Sequence, residues 1–532
     1  MLQVIRWRRL GLLSAGIAGV LLGAVVLLAR VDAAERSVDD AIGAGVAADE
    51  PGGQSELQLS LEDAVLGALE NNPALQAERL EPVVAGTFER IERGDFDVGM
   101  FAEGSYSLVR EERIDPSTSA RFDLERDAAN LSVGLRQSLP FGADWEVALG
   151  QSFEETESGG QGGGSANGGE ELHTTHIGLN FTQQLLRGRG REVNLVGVRQ
   201  AEIGVMSSEY ELRGFMESLI ADVESAYWDY VLADREIELY KESLRLATEE
   251  IERARERVRV GDLARTELPA LEAERALRRQ ELIDARNRRQ VASLELLRLS
   301  GTEQQLDEEI QINPTTEPER SIAELAAVAD HLALALERRP ELNQARLDLQ
   351  SDNLQVTRTR NGVLPRLELF VSLGRSGYAD SFSSAPRQLD EPNYDAELGI
   401  RLERPLRNRA PRAEHEQALA QRNQASLSIN NLARLVRHDV RSAYLEVERA
   451  QSQIDASQAT RQAQQERVRA EEERFRAGEA TSFAVVQAQR DLLESQINEA
   501  GALVDYRQAL LELYRLDGTL LERRGINAAA LE

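Results

Sequence analysis

Histidine, cysteine and clustered glycine often mark a catalytic or ligand-binding site. Their number and placement in this chain argue against such a site. The chain has 532 residues, five histidines and no cysteine, which excludes disulfides, thiolate nucleophiles and thiolate metal ligands. His173 and His176 lie beside a glycine-rich run, Gly159–Gly169, but no further metal ligands can be identified. The run lacks the Gly-Lys-Ser/Thr of a phosphate loop and is not set between a strand and a helix, so we expect a long outer loop. We therefore predict no catalytic, cofactor-binding or metal-binding residues and no enzyme activity.

One turn sequence occurs twice. ERVRVGDLART begins at Glu256, and ERFRAGEATSF begins at Glu473, 217 residues later. At the same offset, Val223, Ser225, Ala226 and Tyr227 match Val440, Ser442, Ala443 and Tyr444, and Arg298, Leu299 and Gly301 match Arg515, Leu516 and Gly518. Because this register persists over about eighty residues, we interpret the chain as a tandem duplication.

Each repeated turn stands inside a long helical pattern. The segment 410–474 has no glycine and one proline, at its start, which predicts a helix on the order of 100 Å long. Its apolar residues are sparse and indicate a packing seam of coiled-coil type: Ala418, Ala425, Leu432, Leu435, Val440, Ala443, Leu445 and Ile454. Gly261 and Gly478 then end the helices, as glycine does at a helix C-terminus. Each turn is thus predicted to be the tip of a helical hairpin.

Short segments between the helices alternate between apolar and polar residues. The clearest are 367–374 and 394–403 in the second copy and 98–108 and 177–181 in the first. Strands of about ten residues with one apolar face are typical of membrane barrels. A one-sided sheet in a soluble protein is the alternative. The two matching pairs between long helices favour the barrel.

A sheet of this size cannot seal itself. Four strands fall short of the smallest barrel, which has about eight. An open sheet edge in lipid would leave backbone groups without partners, at several kcal/mol each. Several copies of the chain must therefore share one barrel.

The N-terminus indicates export, and the net charge argues against nucleic acid as a partner. Arg6, Arg8 and Arg9 precede an apolar stretch, and Val31-Asp32-Ala33 places small residues at a cleavage site, which predicts a signal peptide over 1–33 rather than a retained anchor. The formal charge of −29 argues against a nucleic-acid-binding protein, which would carry a basic face. It fits an ordinary acidic surface or a lumen that repels anions.

The duplication, the segment FTQQLLRGRGR and above all AEEERFRAGEATSFAVVQAQRDLLESQ resemble the TolC-like outer-membrane efflux protein family over about residues 58–521. This resemblance implies a mainly α fold with a transmembrane β part. Long helical hairpins would form a periplasmic α-barrel, and about four strands per protomer would enter a shared outer-membrane β-barrel of twelve strands in a homotrimer. A further hairpin at 131–153 would raise the count to eighteen if it joined the wall. We expect it to be an elaboration instead.

The family resemblance also assigns roles to the hairpin tips. It implies docking to a periplasmic adaptor protein and an inner-membrane pump of the RND or ABC type. The expected adaptor contacts are Val260, Gly261, Asp262, Ala477, Gly478 and Glu479.

The family closes its periplasmic mouth by pairing an acidic residue of copy one with a Tyr and an Arg of copy two. Glu267 holds the acidic position, but Phe475 replaces the Tyr and Ala480 replaces the Arg. The family's aspartate ring falls on Ala484 and Gln487. Arg265, Arg474 or Arg476 could supply the missing charge. The gate candidates are therefore Thr266, Glu267, Arg474, Phe475 and Arg476, and a role for Glu267 in a gate is left open.

Arginines cluster where the strands give way to helices: Arg187, Arg189 and Arg191 in copy one and Arg404, Arg407, Arg409 and Arg412 in copy two. They fit an anchor to anionic head groups of outer-membrane lipid, or ordinary solvated charge.

The predicted organisation follows from these features. After the signal peptide come a linker (34–57), repeat 1 (58–301), a second linker (302–320), repeat 2 (321–521) and a tail (522–532). Repeat 1 has a helix, strands at about 96–109, 130–153 and 175–185, and a helical hairpin over 191–299. Repeat 2 has a helix over 321–360, strands at about 364–376 and 393–403, and a hairpin over 411–517.

We interpret the chain as an outer-membrane channel subunit of a tripartite efflux or type I secretion system, a passive conduit from the periplasm to the exterior. The alternative is an envelope-spanning coiled-coil tether without an open lumen. A periplasmic adaptor, with one hairpin and lipoyl-like strands, is disfavoured by the double copy.

Overall fold

The computed structural model of the protein describes residues 56–114, 121–160, 170–261, 263–301, 311–318, 325–381 and 384–526. The predicted signal peptide, most of both linkers, the end of the tail, Asp262 and most of the glycine-rich run lie outside these residues.

Repeat 1 carries four long strands before its helical hairpin. Its elements are β1 (Glu56–Leu59), α1 (Leu61–Asn71), α2 (Pro73–Glu78), α3 (Glu81–Gly94), β2 (Gly99–Ile114), β3 (Arg121–Leu139), β4 (Ala143–Gly160), β5 (Glu170–Gln184), α4 (Arg191–Asn194), α5 (Val196–Arg259) and α6 (Leu268–Ser300). A single 3₁₀ turn, Arg265–Glu267, lies between the two helices of the hairpin.

Repeat 2 carries two long strands before its helical hairpin. The segment predicted as the second linker contains a strand, β6 (Gln311–Pro314). The elements that follow are α7 (Val328–Arg338), α8 (Pro340–Gly362), β7 (Arg366–Ala379), β8 (Tyr394–Glu403), α9 (Arg409–Arg476), α10 (Ser482–Leu516) and α11 (Leu520–Arg523).

The predicted single helix over 321–360 is wrong, because the chain bends at Pro340. Arg339 has φ −57° and ψ 123°, outside the helical region. Proline has no N–H to donate and disfavours a helical conformation in the residue before it. Repeat 1 breaks in the same way at Pro73, where the Asn72 side chain accepts hydrogen bonds from the N–H groups of Ala74 and Leu75 and so caps α2.

The long helices end at glycines. α5 has 64 residues and α9 has 68, so each is roughly 100 Å long. Gly261 follows the first with φ 87°, and Gly478 follows the second with φ 77°. This left-handed conformation costs glycine little and closes the last turn of a helix.

Four helices pack side by side next to the strands, in the order α3, α5, α8, α9. The return helices α6 and α10 pack against α5 and α9 respectively. The largest core lies near the middle of α5, around Ile220, Tyr227 and Leu296, where α1 and the parallel pair β1–β6 cover it. A second core surrounds Val440 and Leu513 in repeat 2.

The six long strands form one antiparallel sheet in the order β2-β3-β4-β5-β7-β8. The predicted class, mainly α with a β part, is confirmed. The strand number is corrected from about four to six, because the hairpin that was expected as an elaboration lies within the sheet. β3 and β4 supply the backbone partners of β2 and β5, which would otherwise face each other. Among the described residues, no helix combines the length and apolar character needed to cross a bilayer.

Candidate functional site: the two-faced sheet and the hairpin tips

One face of the sheet is apolar over two successive rows that cross all six strands, with Arg375 as the one charged residue in them. Residues directly opposite each other in an antiparallel pair share a face, so the register defines rows that cross the sheet. One row is Met100, Leu135, Val147, Leu179, Leu373 and Ala396. The next is Ala102, Val133, Leu149, Ile177, Arg375 and Tyr394. Many of these side chains are exposed, including Leu149 (51 %) and Tyr394 (78 %), so no described part of the chain covers this face.

The opposite face is polar and is lined by small residues. Its rows include Glu103, Ser132, Gly150, His176 and Ser376, and Phe101, Gly134, Ala148, Gly178, Gly374 and Asp395. The ring of Phe101 lies where a Cβ of Gly134 would stand, at 2.7 Å, and the ring of Phe370 lies in the same way over Gly399. A larger residue at either glycine would collide with its aromatic neighbour.

The histidines of the glycine-rich region do not converge. His176 lies on the polar face, with Nδ1 3.1 Å from Oγ of Ser376. His173 lies on the apolar face, with its ring centroid 5.0 Å from that of Phe153. The two rings therefore do not approach each other as a pair of ligands would.

Two edges of the sheet have no strand partner within the described residues, β2 at one side and β8 at the other. The neighbouring layer of helices has matching outer members. α3 has no buried residue and exposes an apolar stripe made of Leu80, Val84, Phe88 and Ile91. α9, at the other side, exposes Leu427, Leu435 and Leu445 at 50 to 70 %. Leu435 and Leu445, predicted as members of the packing seam, therefore lie on an open face of the chain.

The arginines at the strand exits lie on the surface, and the backbone between them is fixed by other groups. Arg187, Arg404 and Arg407 are exposed. The buried Asn408 adopts φ 44° and donates from Nδ2 to the carbonyl of Val363 at 2.9 Å. This contact ties the start of α9 to the end of α8.

The expected adaptor contacts lie at the exposed ends of the hairpins. Val260 is 71 % exposed, and Gly261, Ala477, Gly478 and Glu479 are exposed as well. Asp262 lies outside the described residues.

The gate candidates do not converge on one contact. Glu267 accepts a hydrogen bond from the hydroxyl of Ser482, so it joins the tip of repeat 1 to the start of α10. Arg474 and Arg476 pair within their own helix, with Glu471 at 2.9 Å and Glu473 at 2.7 Å.

Phe475 and Thr266 differ in their surroundings. The ring of Phe475 lies under the guanidinium of Arg257 at 5.0 Å, in a second contact between the two tips. Thr266 is exposed. Cation–π packing thus occupies the place where the family was expected to use a tyrosine.

A buried ion cluster behind the tips was missed by the sequence reasoning. Arg490 of α10 donates to Glu274 of α6 at 2.5 Å, and Arg278 lies 2.7 Å from the same carboxylate. Arg278 is 4 % exposed. The spacing of Glu274 and Arg278 predicts a helical ion pair, but nothing in the sequence signals that Arg490 joins it.

The model of the family described as "Outer membrane efflux protein" matches residues 121–302 and 332–519. The chain belongs to this family. The two matched segments correspond to the two repeats, and together they cover most of the chain.

A curated relative and several solved structures are similar to this family member. This chain is 29 % identical over 217 residues to "Alkaline protease secretion protein AprF" of Pseudomonas aeruginosa. The match covers 40 % of this chain and 41 % of that protein. The outer-membrane channel OprN matches with a TM-score of 0.65 at 16 % identity, over 86 % of this chain and 90 % of that one. The CmeC outer membrane channel of Campylobacter jejuni matches with a TM-score of 0.63 at 16 % identity, over 88 % of both chains. At these identities the structural matches establish the fold.

Proposed function

We propose that the chain is one subunit of a homotrimeric outer-membrane channel, a passive conduit from the periplasm to the exterior. In this proposal a signal peptide directs export, three sheets close one barrel in the outer membrane, and the helical hairpins extend into the periplasm. The chain itself catalyses no reaction. An inner-membrane pump supplies the energy, through a periplasmic adaptor that contacts the hairpin tips.

The observation that carries this proposal is the six-stranded sheet, which has one apolar face and two edges that no other described strand pairs with. A sheet whose apolar face is exposed is stable in lipid, but only if its edges are paired. Edge β2 and edge β8 run in opposite directions, since the sheet is antiparallel and has an even number of strands. A second copy can therefore continue the sheet without changing its pattern.

The outer helices support the same head-to-tail contact. The apolar stripe of α3 lies on one side of the protomer and the exposed leucines of α9 on the other. A contact between two different surfaces generates a closed ring when the rotation between copies closes. One rotation between neighbouring copies can therefore join their sheets and their helices at the same time.

The lipid-facing role of the sheet is tested by placing the same charge on either face. Leu179→Arg puts a guanidinium on the apolar face, and Asn180→Arg puts it on the polar face of the same strand. We expect the first variant to lose outer-membrane insertion, since a charge facing the middle of the bilayer costs about 2–4 kcal/mol in each subunit. The second should insert and form trimers by native mass spectrometry. Equal insertion of both variants would contradict the proposal.

Conductance separates the channel from a coiled-coil tether, the alternative that the long hairpins would serve equally well. Purified protein reconstituted in planar bilayers should give discrete single-channel steps. Trimers that insert but never conduct, even with shortened hairpins, would favour the tether.

The tips are proposed as the adaptor contacts and as the site of closure. Because Glu267 bonds Ser482 across the two hairpins, we expect both Glu267→Ala and Ser482→Ala to raise the open probability. Glu256→Ala is the matched control, because that carboxylate pairs with Arg259 on its own helix at 2.8 Å. Unchanged conductance in the first two variants would remove Glu267 from the gate.

The class of cargo spans two possibilities within this proposal. The relative AprF is named for the secretion of alkaline protease, which supports type I secretion, whereas the family is described by efflux. Deletion of the chain followed by assays of secreted protein and of drug sensitivity would separate them.

A further inference from the structure

The strands β3 and β4 distinguish this subunit from one that contributes four strands. We infer that the assembled barrel has about eighteen strands, and that its outer lumen is about half as wide again as a twelve-stranded one, since barrel diameter grows roughly linearly with strand number. The inference rests on the proposed homotrimer and adds the size of solute that the outer-membrane end admits.

The apolar rows carry the first step of the argument. Leu135 and Val147, which belong to the added hairpin, lie between Met100 of β2 and Leu179 of β5 in a single row. The lipid-facing surface therefore runs through β3 and β4 without interruption. A hairpin folded away from the wall would instead have exposed these residues to water or to the lumen.

The short turn between β3 and β4 is built into the junction of strand and helix. Gly142 has φ 88°, and its carbonyl accepts from the N–H of Gln184 at 2.8 Å. The carbonyl of Phe141 accepts from the N–H of Gly190 at 3.0 Å, and Asn194 Nδ2 donates to the carbonyl of Pro140 at 3.2 Å. The turn is thus fixed to the start of the long helical hairpin, as a wall element must be.

The added strand β3 has the same local sequence pattern as two other strands of the sheet. Three return strands contain an apolar residue, glycine, an apolar residue and Arg or Asn: 133–136 in β3, 177–180 in β5 and 398–401 in β8. In each, the register places the glycine on the polar face and its apolar neighbours on the other. Repeat 1 therefore carries two barrel hairpins, whereas repeat 2 carries one.

The dimensions of the two layers agree with the larger barrel. Three copies bring together about twelve helices next to the sheet, which at roughly 10 Å each span a perimeter of about 120 Å. Eighteen strands about 4.8 Å apart, tilted by about 40°, span a perimeter of about 113 Å. Twelve strands at the same tilt span only about 75 Å. The larger barrel continues the helical tube without a constriction at the outer membrane.

Engineered cysteine pairs test the strand order, because the native chain has no cysteine and gives no background. Val147→Cys with Leu179→Cys joins β4 to β5, and we expect it to form a disulfide within one chain. Met100→Cys with Leu179→Cys joins β2 to β5 and should remain reduced. Leu135→Cys with Val147→Cys lies inside the hairpin and is the positive control, since it forms in either arrangement.

The outcomes separate this inference from the proposed function. A conducting trimer in which Met100→Cys bonds Leu179→Cys, and Val147→Cys does not, overturns the strand count alone. A monomer that never conducts overturns the channel and the barrel together, whatever bonds it forms. Counting strands in a density map of the purified trimer gives a direct check, with about eighteen expected.

The width is measured with a variant that lacks residues 121–160. This deletion removes β3 and β4 and sets Met100 opposite Leu179 in the same apolar row, so the two faces stay aligned. In bilayers, neutral polymers added from the outer side should enter the intact channel up to a diameter about 1.5-fold larger than in the deletion variant. An unchanged polymer cut-off in a conducting deletion variant would overturn the inference. If the variant does not assemble, the cysteine pairs in the full chain still decide it.

Discussion

The two repeats share a sequence register but not their surroundings. Trp228 in α5 is 4 % exposed, whereas Leu445, at the equivalent position of α9, is 63 % exposed. Tyr230 is 1 % exposed and donates to the carbonyl of Ile312 at 2.5 Å, while its equally buried counterpart Val447 belongs to the second core, which contains no strand residue. The duplication fixes the helix, but the elements laid over it decide which face is buried.

The difference has a simple structural cause. α1 packs on the middle of α5, and its counterpart α7 packs on α9 in the same way. The β1–β6 pair adds further cover to α5, and the described part of the chain has no equivalent strand pair over α9. Trp228 therefore belongs to the core of repeat 1, whereas its counterpart Leu445 in repeat 2 is exposed. Matched substitutions at the 217-residue offset test this asymmetry, and they are ordered below by the size of the expected effect.

The largest difference is expected for tyrosine. Tyr227 is fully buried, and its hydroxyl accepts from the N–H of Thr316 at 3.0 Å. We expect Tyr227→Ala to destabilise the protein by about 4 kcal/mol, as for other buried aromatic truncations. Tyr444→Ala, at the half-buried equivalent, should cost about half as much. Thermal unfolding followed by circular dichroism measures both, and equal shifts would break the comparison.

A buried ion pair gives the next effect. Glu224 is 1 % exposed and accepts two hydrogen bonds from Arg524, and burial raises its pKa while Arg524 opposes the rise. Glu224→Ala should cost about 3 kcal/mol, because it leaves a guanidinium without its partner. Arg441→Ala, at the exposed equivalent, should change stability by less than about 0.5 kcal/mol. The double variant Glu224→Ala, Arg524→Ala should regain part of the loss, and a fully additive loss would contradict the pairing.

Glu217 of repeat 1 should contribute a pH dependence of stability that its counterpart Arg434 does not. Burial raises the pKa of Glu217 to about 7, Arg213 at 3.2 Å opposes the rise, and Glu341 and Asp517 reinforce it. The folded protein then binds the proton more tightly than the unfolded chain does. This contribution to stability is present near pH 4.5 and is lost as the pH rises through 7.

Glu217→Gln should remove that slope and make the protein more stable than the wild type at about pH 8, by roughly 2–3 kcal/mol. Arg434→Gln, at the exposed equivalent, should leave the slope unchanged. Unfolding temperatures measured across the pH range decide it, and a slope that survives Glu217→Gln would assign it to another group.

The smallest effect should be the same in both repeats. Gly261 and Gly478 have positive φ and open space where a Cβ would stand. Alanine at either position should therefore cost about 1 kcal/mol of local stability through backbone strain alone. Hydrogen exchange in the last turn of α5 and of α9 measures it. A much larger effect at one tip would show that its surroundings are not equivalent.

Periodicity and glycine spacing were enough to predict the mainly α class, the tandem repeats and the alternating strands. They could not determine how many strands lie in the barrel wall, because a hairpin outside the wall would show the same alternation of apolar and polar residues as β3 and β4. That choice depends on the register of β4 against β5. The break at Pro340 had a local signal that the prediction overlooked. The Glu224–Arg524 pair joins residues 300 positions apart, so local pattern carries no trace of it.

Within the described residues β2 and β8 each leave one sheet edge unpaired, and this bears on biogenesis. In the proposed trimer, a newly exported subunit keeps two unpaired sheet edges and an exposed apolar face until two further subunits bind. Trimer assembly would then depend steeply on subunit concentration, and at low concentration the subunits would stay longer bound to periplasmic chaperones.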